Sequence, residues 1–327
     1  MPLRLGVIGA GTMGSLHARV ATDSPDMDLR WVTDPDAQAR ERVGSRYEVE
    51  TKVAPSSMDD VDAVIIATPT HVHTEWCLEA IDGGIPFLVE KPLSTDLQEV
   101  EEVAAAALSA GVAFTVGFVE RYNPAVRTVE GIIGEPVYFN AVRHSPYVDR
   151  IRTGVGGDLM IHDIDLALLL MDSDPVSVVA SLANVHPSSE SDAEDIAEAH
   201  IRFADGGVAS LSANRTAQRK IRMLTVANLE ITAEVDLMRQ DITLYRHVLS
   251  AAITEDRAGY HQETVMEIPQ LRYRIEPLVA QMAHFVGLVV GDADPVREAD
   301  GILKSHRVLA ASRRSAIEGC AVAIAGV

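Results

Sequence analysis

The segment from Gly156 to Met171, GGDLMIHDIDLALLLM, places Asp158 four residues before His162 in a run that is otherwise almost entirely apolar. On an α-helix each residue advances about 100°, so Asp158, His162 and Asp165 fall in one polar stripe. Leu159, Met160, Ile161, Ile164, Leu166, Leu168 and Met171 occupy most of the remaining circumference, the pattern of a helix packed on several sides. Ionisable groups in such a place need partners. A histidine oriented by a carboxylate can take a proton from a hydroxyl; the same residues read equally well as a capping aspartate after two glycines and a satisfied core histidine.

Two further stretches have residue types suited to chemistry. Gly9-Ala10-Gly11-Thr12-Met13-Gly14 ends one apolar run, Leu3 to Gly9, and opens a helix-compatible one, Ser15 to Thr22, with Asp34 twenty residues beyond Gly14. In a strand, turn and helix of this kind Gly9 allows the tight turn, Gly11 lets the backbone approach a pyrophosphate, and Gly14 permits close packing of helix on strand. The helix start at Thr12 and Met13 supplies amide donors to the phosphates. Asp34 would accept from the ribose hydroxyls and repel a 2′-phosphate, which favours NAD over NADP. The second stretch, Glu90-Lys91-Pro92, follows the apolar run Pro86 to Val89, where ligands bind in open parallel sheets. An ammonium there could hold a substrate hydroxyl and stabilise developing alkoxide charge.

The elements that must position these groups divide in two. Apolar runs without alternation at Leu3–Gly9, Met27–Thr33, Ala63–Ala67, Pro86–Val89 and Ala113–Gly117 alternate with helical stretches, the mark of a doubly wound parallel sheet covered on both faces. Thr95 with Gln98 reads as a capping box for a helix running to Gly111. Beyond Tyr122 the strands are longer and several alternate: Pro136–His144, Val176–Asn184, Glu198–Phe203, Gly207–Asn214, Arg222–Ala227, Glu230–Asp236 and Gln240–Tyr245. The expectation is an α/β chain with a Rossmann dinucleotide-binding domain at 1–121 and, at 122–327, an α/β domain with an open, mainly antiparallel sheet. Ser188–Glu194 reads as a mobile acidic loop, Ile253–Val265 as a poorly ordered connection, and helices are expected at Pro277–Val290 and Glu298–Glu318.

At 327 residues, 47% of them hydrophobic, the chain can bury two cores. Its net charge of −20 argues against nucleic acid or an anionic membrane as partner, since both demand a basic face. No apolar run reaches the roughly 18 residues of a membrane span, and the opening leads into a glycine turn rather than a secretion signal. Cys77 and Cys320 read as reduced thiols of a cytoplasmic protein. Apart from His71-Val72-His73 no spacing suggests a metal site, and none is expected. Only four lysines are present, Lys52, Lys91, Lys220 and Lys304, which makes the arginines Arg121, Arg143, Arg150, Arg152, Arg215, Arg219 and Arg222 stand out; any single one reads better as a surface or ion-pair arginine, while as a set they could line an anion site.

Gly9 to Gly14, Glu90-Lys91-Pro92 and Asp158-(x)3-His162 together resemble the Gfo/Idh/MocA family of oxidoreductases, over nearly the whole chain. The resemblance implies a homo-oligomer, dimer or tetramer, with Lys91, Asp158 and His162 as the catalytic set. Glu90 and Lys91 would also adjoin the cofactor. Thr68-Pro69-Thr70-(x)2-His73 is similar to the family's second cofactor-contact loop, with His73 also readable as a polar residue at a helix start. Phe118–Val126, Leu159–Asp165 and Ala213–Arg215 are similar to the branch that oxidises UDP-N-acetylglucosamine at C3, whereas Gly156-Gly157 follows the wider family. That similarity implies a sugar or nucleotide-sugar substrate met by Arg121, Asn123, Arg143, Arg152, Asp165, Arg215 and Arg219. The alternatives are oxidation of a free polyol or sugar, as in the inositol dehydrogenases, and a non-catalytic NAD-binding regulator.

Overall fold

The computed structural model describes residues 1–55, 57–149, 153–254, 257–271 and 274–327. It divides into two compact units, residues 1–119 with 276–310, and residues 120–275 with 311–327. The single boundary expected after residue 121 lies within two residues of the first crossing, but the chain returns: residues 276–310 belong with the first unit.

The first unit is built on six parallel strands, β1 (Leu3–Ile8), β2 (Met27–Thr33), β3 (Glu50–Lys52), β4 (Ala63–Ile66), β5 (Phe87–Val89) and β6 (Phe114–Val116), in the order β3-β2-β1-β4-β5-β6. The helices between them are α1 (Thr12–Asp23), α2 (Ala37–Tyr47), α3 (His73–Asp82) and α4 (Leu97–Ala110). Strand order reverses between β1 and β4, so the loops that leave those two strands open a crevice at the carboxyl edge. Leu5, Val7, Val32, Ile65 and Leu88 are buried in one cluster with Leu278, Met282 and Phe285 from the returning segment. The helix α4 is capped by Asp96, whose side chain accepts from the Gln98 N–H, and not by Thr95; Asp96 immediately precedes the first helical residue, where a short acceptor reaches the exposed amides.

In the second unit α5 (Pro124–Ile133) leads to β7 (Tyr138–His144), and α6 (Ile161–Met171) stands between β7 and β8 (Pro175–Ala183). The sheet continues with β9 (Ile196–Phe203), β10 (Val208–Asn214), β11 (Ile221–Ala227), β12 (Thr232–Asp236), β13 (Asp241–Thr254) and β14 (Arg257–Glu267). The chain ends with α7 (Pro277–Val290), α8 (Pro295–Glu318) and the short β15 (Val322–Ala323). Nine strands lie in the order β14-β13-β12-β11-β7-β10-β9-β8-β15, antiparallel except where β7 meets β10. Ala197, Ala199, Ile201 and Phe203 of β9 are buried while Glu198, His200 and Arg202 between them are exposed, so one face carries the core.

Two expected loops are more ordered than their composition suggests. Much of Ile253–Val265 belongs to a hairpin in which β13 and β14 pair antiparallel from Leu244 opposite Glu267 to Thr254 opposite Arg257. Backbone hydrogen bonding carries this pairing where no apolar alternation announces it. Ser188–Glu194 is tied down as well. The Asn184 amide donates to the Glu190 carbonyl, the Ser189 hydroxyl donates to Asp195, and Glu194 is buried.

Candidate active site

In the first unit the expected residues gather on the carboxyl edge of the parallel sheet. Gly9 has φ +102°, a left-handed conformation that side chains disfavour, and a Cβ on Gly14 would run into the Gly9 carbonyl oxygen, so both positions require glycine. Nothing stands within 4 Å of where a Cβ on Gly11 would be. There α1 begins with Thr12 and Met13, with no side-chain cap and no acidic residue in its first turn, leaving the positive end of the helix toward an open space. Asp34 closes β2; its carboxylate accepts from the Ala10 N–H at 2.7 Å and the Asp36 N–H at 2.8 Å, and each oxygen keeps a further lone pair. Across the switch point Thr68 and Pro69 follow β4, and the Thr68 hydroxyl oxygen is buried with no hydrogen-bond partner among the described residues. These features fit a dinucleotide: donors and space for a pyrophosphate, an acceptor for ribose hydroxyls, and a buried polar atom still to be satisfied.

His73, the first residue of α3, is buried, with Nδ1 3.0 Å from the Pro92 carbonyl oxygen and Nε2 2.9 Å from that of Thr68. It therefore ties the Thr68 loop to the turn that carries Lys91. Burial lowers its pKa, outweighing the two carbonyls, which pull the other way. Glu90 and the half-buried Lys91 lie just past β5, and the Lys91–Pro92 bond is cis. The Leu93 N–H reaches Nε2 of the buried His306 from α8. Three residues that sequence reasoning passed over act here: His306, Arg42, which donates to the Ala10 carbonyl of the glycine loop, and His17, whose Nε2 lies 2.8 Å from Glu90. His17 falls one turn beyond Gly14, and that spacing was the available signal.

In the second unit the segment around His162 is not one regular helix. Gly156–Met160 forms a π turn, and α6 starts only at Ile161. Asp158 thus sits inside a widened turn rather than capping a helix. A carboxylate from the acidic loop builds this turn. Glu194 accepts from the Gly156 N–H at 2.8 Å while its carbonyl accepts from the Val155 N–H, and a Cβ on Gly154 would collide with its side chain.

The α6 aspartates are engaged from two sides. Arg143 of β7 grips Asp163 through Nε and Nη2, donates to Glu120 from Nη1, and is only 2% exposed. Burial lowers the Arg143 pKa, but Asp163 and Glu120 raise it further, and Glu120 is held below the usual carboxylate range by Arg143 against its own burial. Arg121 closes on Asp165 with two bonds, Nε to Oδ2 at 2.7 Å and Nη2 to Oδ1 at 2.6 Å. Asp163 and Asp165 are buried, whereas Asp158 and His162 are half-buried.

Several residues expected at the substrate are engaged by partners within the chain. Arg143 is enclosed by carboxylates, and Asp165 is enclosed against Arg121. Arg215 is buried and donates to the carbonyls of Thr153 and Glu194, bracing the π turn. Asn123 is buried as the cap of α5, accepting from the Ala125 N–H while its amide donates to Glu120 and the Leu237 carbonyl. Buried polar groups are satisfied by neighbours, which is why these side chains turn inward. Arg219 is exposed in the loop after β10; Arg150 and Arg152 lie outside the described residues.

Two family descriptions match the chain: an oxidoreductase family with an NAD-binding Rossmann fold over residues 3–118, and a GFO/IDH/MocA C-terminal domain over residues 127–234. The UDP-N-acetylglucosamine 3-dehydrogenase of Acidithiobacillus ferrooxidans is 31% identical over 316 residues, 95% of each chain. A solved structure of the enzyme of that name from the same organism superposes with a TM-score of 0.82 at 25% identity, covering 96% of this chain and 98% of that one. The inositol 2-dehydrogenase of Rhizobium meliloti is 32% identical over 231 residues, 66% of this chain and 70% of its own.

Proposed function

Because this chain belongs to the Gfo/Idh/MocA oxidoreductases, NAD-dependent dehydrogenases built on a Rossmann domain, we propose that it oxidises a sugar secondary alcohol, the C3 hydroxyl of a UDP-N-acetylhexosamine. Bound NAD would supply the hydride acceptor. The protein's own groups manage the hydroxyl proton. In this reading Lys91 holds the alcohol oxygen, His162 removes the proton as general base, and Asp158 orients the imidazole. The return of a ketone to the alcohol uses the same groups in reverse, with His162 as acid. Gly9, Gly11, Thr12, Met13 and Gly14 would cradle the pyrophosphate, Asp34 the ribose, and Thr68, Pro69, His73 and Glu90 the nicotinamide side of the cofactor. The protein is proposed to work in the cytoplasm as a homo-oligomer.

One observation carries the chemical assignment: along a single segment Asp163 and Asp165 are buried against arginines, while Asp158 and His162 are half-buried. The substrate reading is supported by likeness to the nucleotide-sugar enzyme over 95% of both chains. A second reading, oxidation of an uncharged polyol, is favoured by the inward engagement of Arg121, Arg143 and Arg215, which leaves fewer cations for a pyrophosphate.

The test mixes stoichiometric NAD-loaded protein with UDP-N-acetylglucosamine, myo-inositol or glucose and records NADH absorbance. Signal with the nucleotide sugar alone, lost in Lys91→Ala, supports the first reading. Signal with the polyol alone replaces it with the second, and silence with all three removes both substrates.

A further inference from the structure

Glu90 is a carboxylate in the interior, 7% exposed, one residue before the half-buried Lys91. Its Oε1 lies 2.8 Å from Nε2 of His17, and its Oε2 accepts from the Lys91 N–H at 3.3 Å. An ionised carboxylate only accepts, so the facing imidazole nitrogen carries the proton. His17 is fully buried on α1, and its Nδ1 makes no hydrogen bond to any described residue, which leaves Glu90 as the polar anchor of the ring. Room for this carboxylate is built in: a Cβ on Gly117, just past β6, would stand 2.8 Å from Glu90 Oε2. Three elements of one unit thus converge on Glu90.

We propose that His17 and Glu90 are positioning residues for Lys91: the buried carboxylate, aimed by the imidazole and bonded to the Lys91 N–H, fixes the turn that presents the ammonium. Burial raises the Glu90 pKa, but the His17 hydrogen bond and charge, then the charge of Lys91, bring it below its ordinary value. The same pair joins the helix that starts at the glycine turn to the turn that carries Lys91, so the cofactor cradle and the ammonium share one strut. This inference rests on the proposed role of Lys91 as the group that holds the substrate hydroxyl.

The scarcity of lysines makes a direct test practical. Reductive methylation with 13C-formaldehyde preserves the ammonium charge and labels Lys52, Lys91, Lys220, Lys304 and the N-terminus, and Lys91→Arg assigns the Lys91 signals. NMR spectra at one neutral pH are then compared for the wild type, Glu90→Gln, His17→Phe and His17→Gln. The expected result is a displaced Lys91 methyl signal in Glu90→Gln, with the signals of the other three lysines unmoved. His17→Phe displaces it as well, and His17→Gln, which keeps an N–H donor, returns it toward the wild type. A Lys91 signal unmoved in Glu90→Gln or His17→Phe overturns the proposal, as do identical spectra for the two His17 variants. Should Glu90→Gln fail to fold, the His17 pair decides alone. The measurement needs no substrate, so NADH formation with an unmoved Lys91 signal sinks this inference only, whereas a displaced Lys91 signal with no turnover on any sugar sinks the functional reading only.

Discussion

Each of the two candidate reacting groups has a buried carboxylate as its chain neighbour, Glu90 before Lys91 and Asp163 after His162, yet the two are held differently. Asp163 faces the guanidinium of Arg143, which stays charged at any working pH, and Arg143 spends its other arm on Glu120. Glu90 faces His17, an imidazole, and passes its second oxygen to the backbone of Lys91. The first arrangement is a fixed strut that sets how α6 seats on its sheet. In the second, the carboxylate bonds the backbone of the candidate residue itself. Proximity in sequence to a reacting group therefore says little about role; the partner on the far side decides.

Four changes would break or sharpen this contrast. The largest effect is expected from His162→Ala, which should lower the single-turnover rate of NADH formation about 10²- to 10⁴-fold while NAD affinity, followed by fluorescence, holds. An unchanged rate would remove His162 from the chemistry. Arg143→Met leaves Asp163 and Glu120 buried without their cation and should cost about 3–5 kcal/mol of stability in urea unfolding; a neutral result would show that the strut is dispensable.

Asp34→Ser should raise affinity for NADP relative to NAD by about tenfold, roughly 1.4 kcal/mol, as its carboxylate no longer repels a 2′-phosphate. Competition binding of the two cofactors measures this, and a constant ratio would take Asp34 out of the ribose site. The smallest effect concerns His73. Its pKa is lowered in the folded state from 6.5, so the unfolded chain binds the extra proton first. The stability that His73 contributes is present above about pH 6.5 and is lost as pH falls below it toward the folded value. Melting the wild type and His73→Gln between pH 7.5 and 5 should show a steeper acid loss in the wild type, and parallel curves would refute it.

The parallel strands of the first unit were legible to within a residue or two, because a strand covered on both faces is written as an unbroken apolar run. The three-residue edge strand β3 left no such run, and while the start of β13 falls in the expected strand Gln240–Tyr245, β14 lies in a more polar stretch whose pairing is made by the backbone. The positions of the glycine turn, Asp34 and the lysine turn at strand ends were also readable, since each follows directly on an apolar run. The arginines were not. A count of cations in an acidic chain suggested an anion site, but a count carries no direction, and Arg121, Arg143 and Arg215 turn inward to carboxylates and carbonyls.

By itself the sequence determined the fold class, the family and the short-range relations among residues at strand ends, because periodicity and turn chemistry are local. Only the tertiary structure decided which carboxylate meets which cation. Arg143 reaches Asp163 across 20 positions, and His17 reaches Glu90 across 73. Such pairs form because burial makes an unpartnered polar group costly, and burial is a property of the packed chain rather than of any stretch of it.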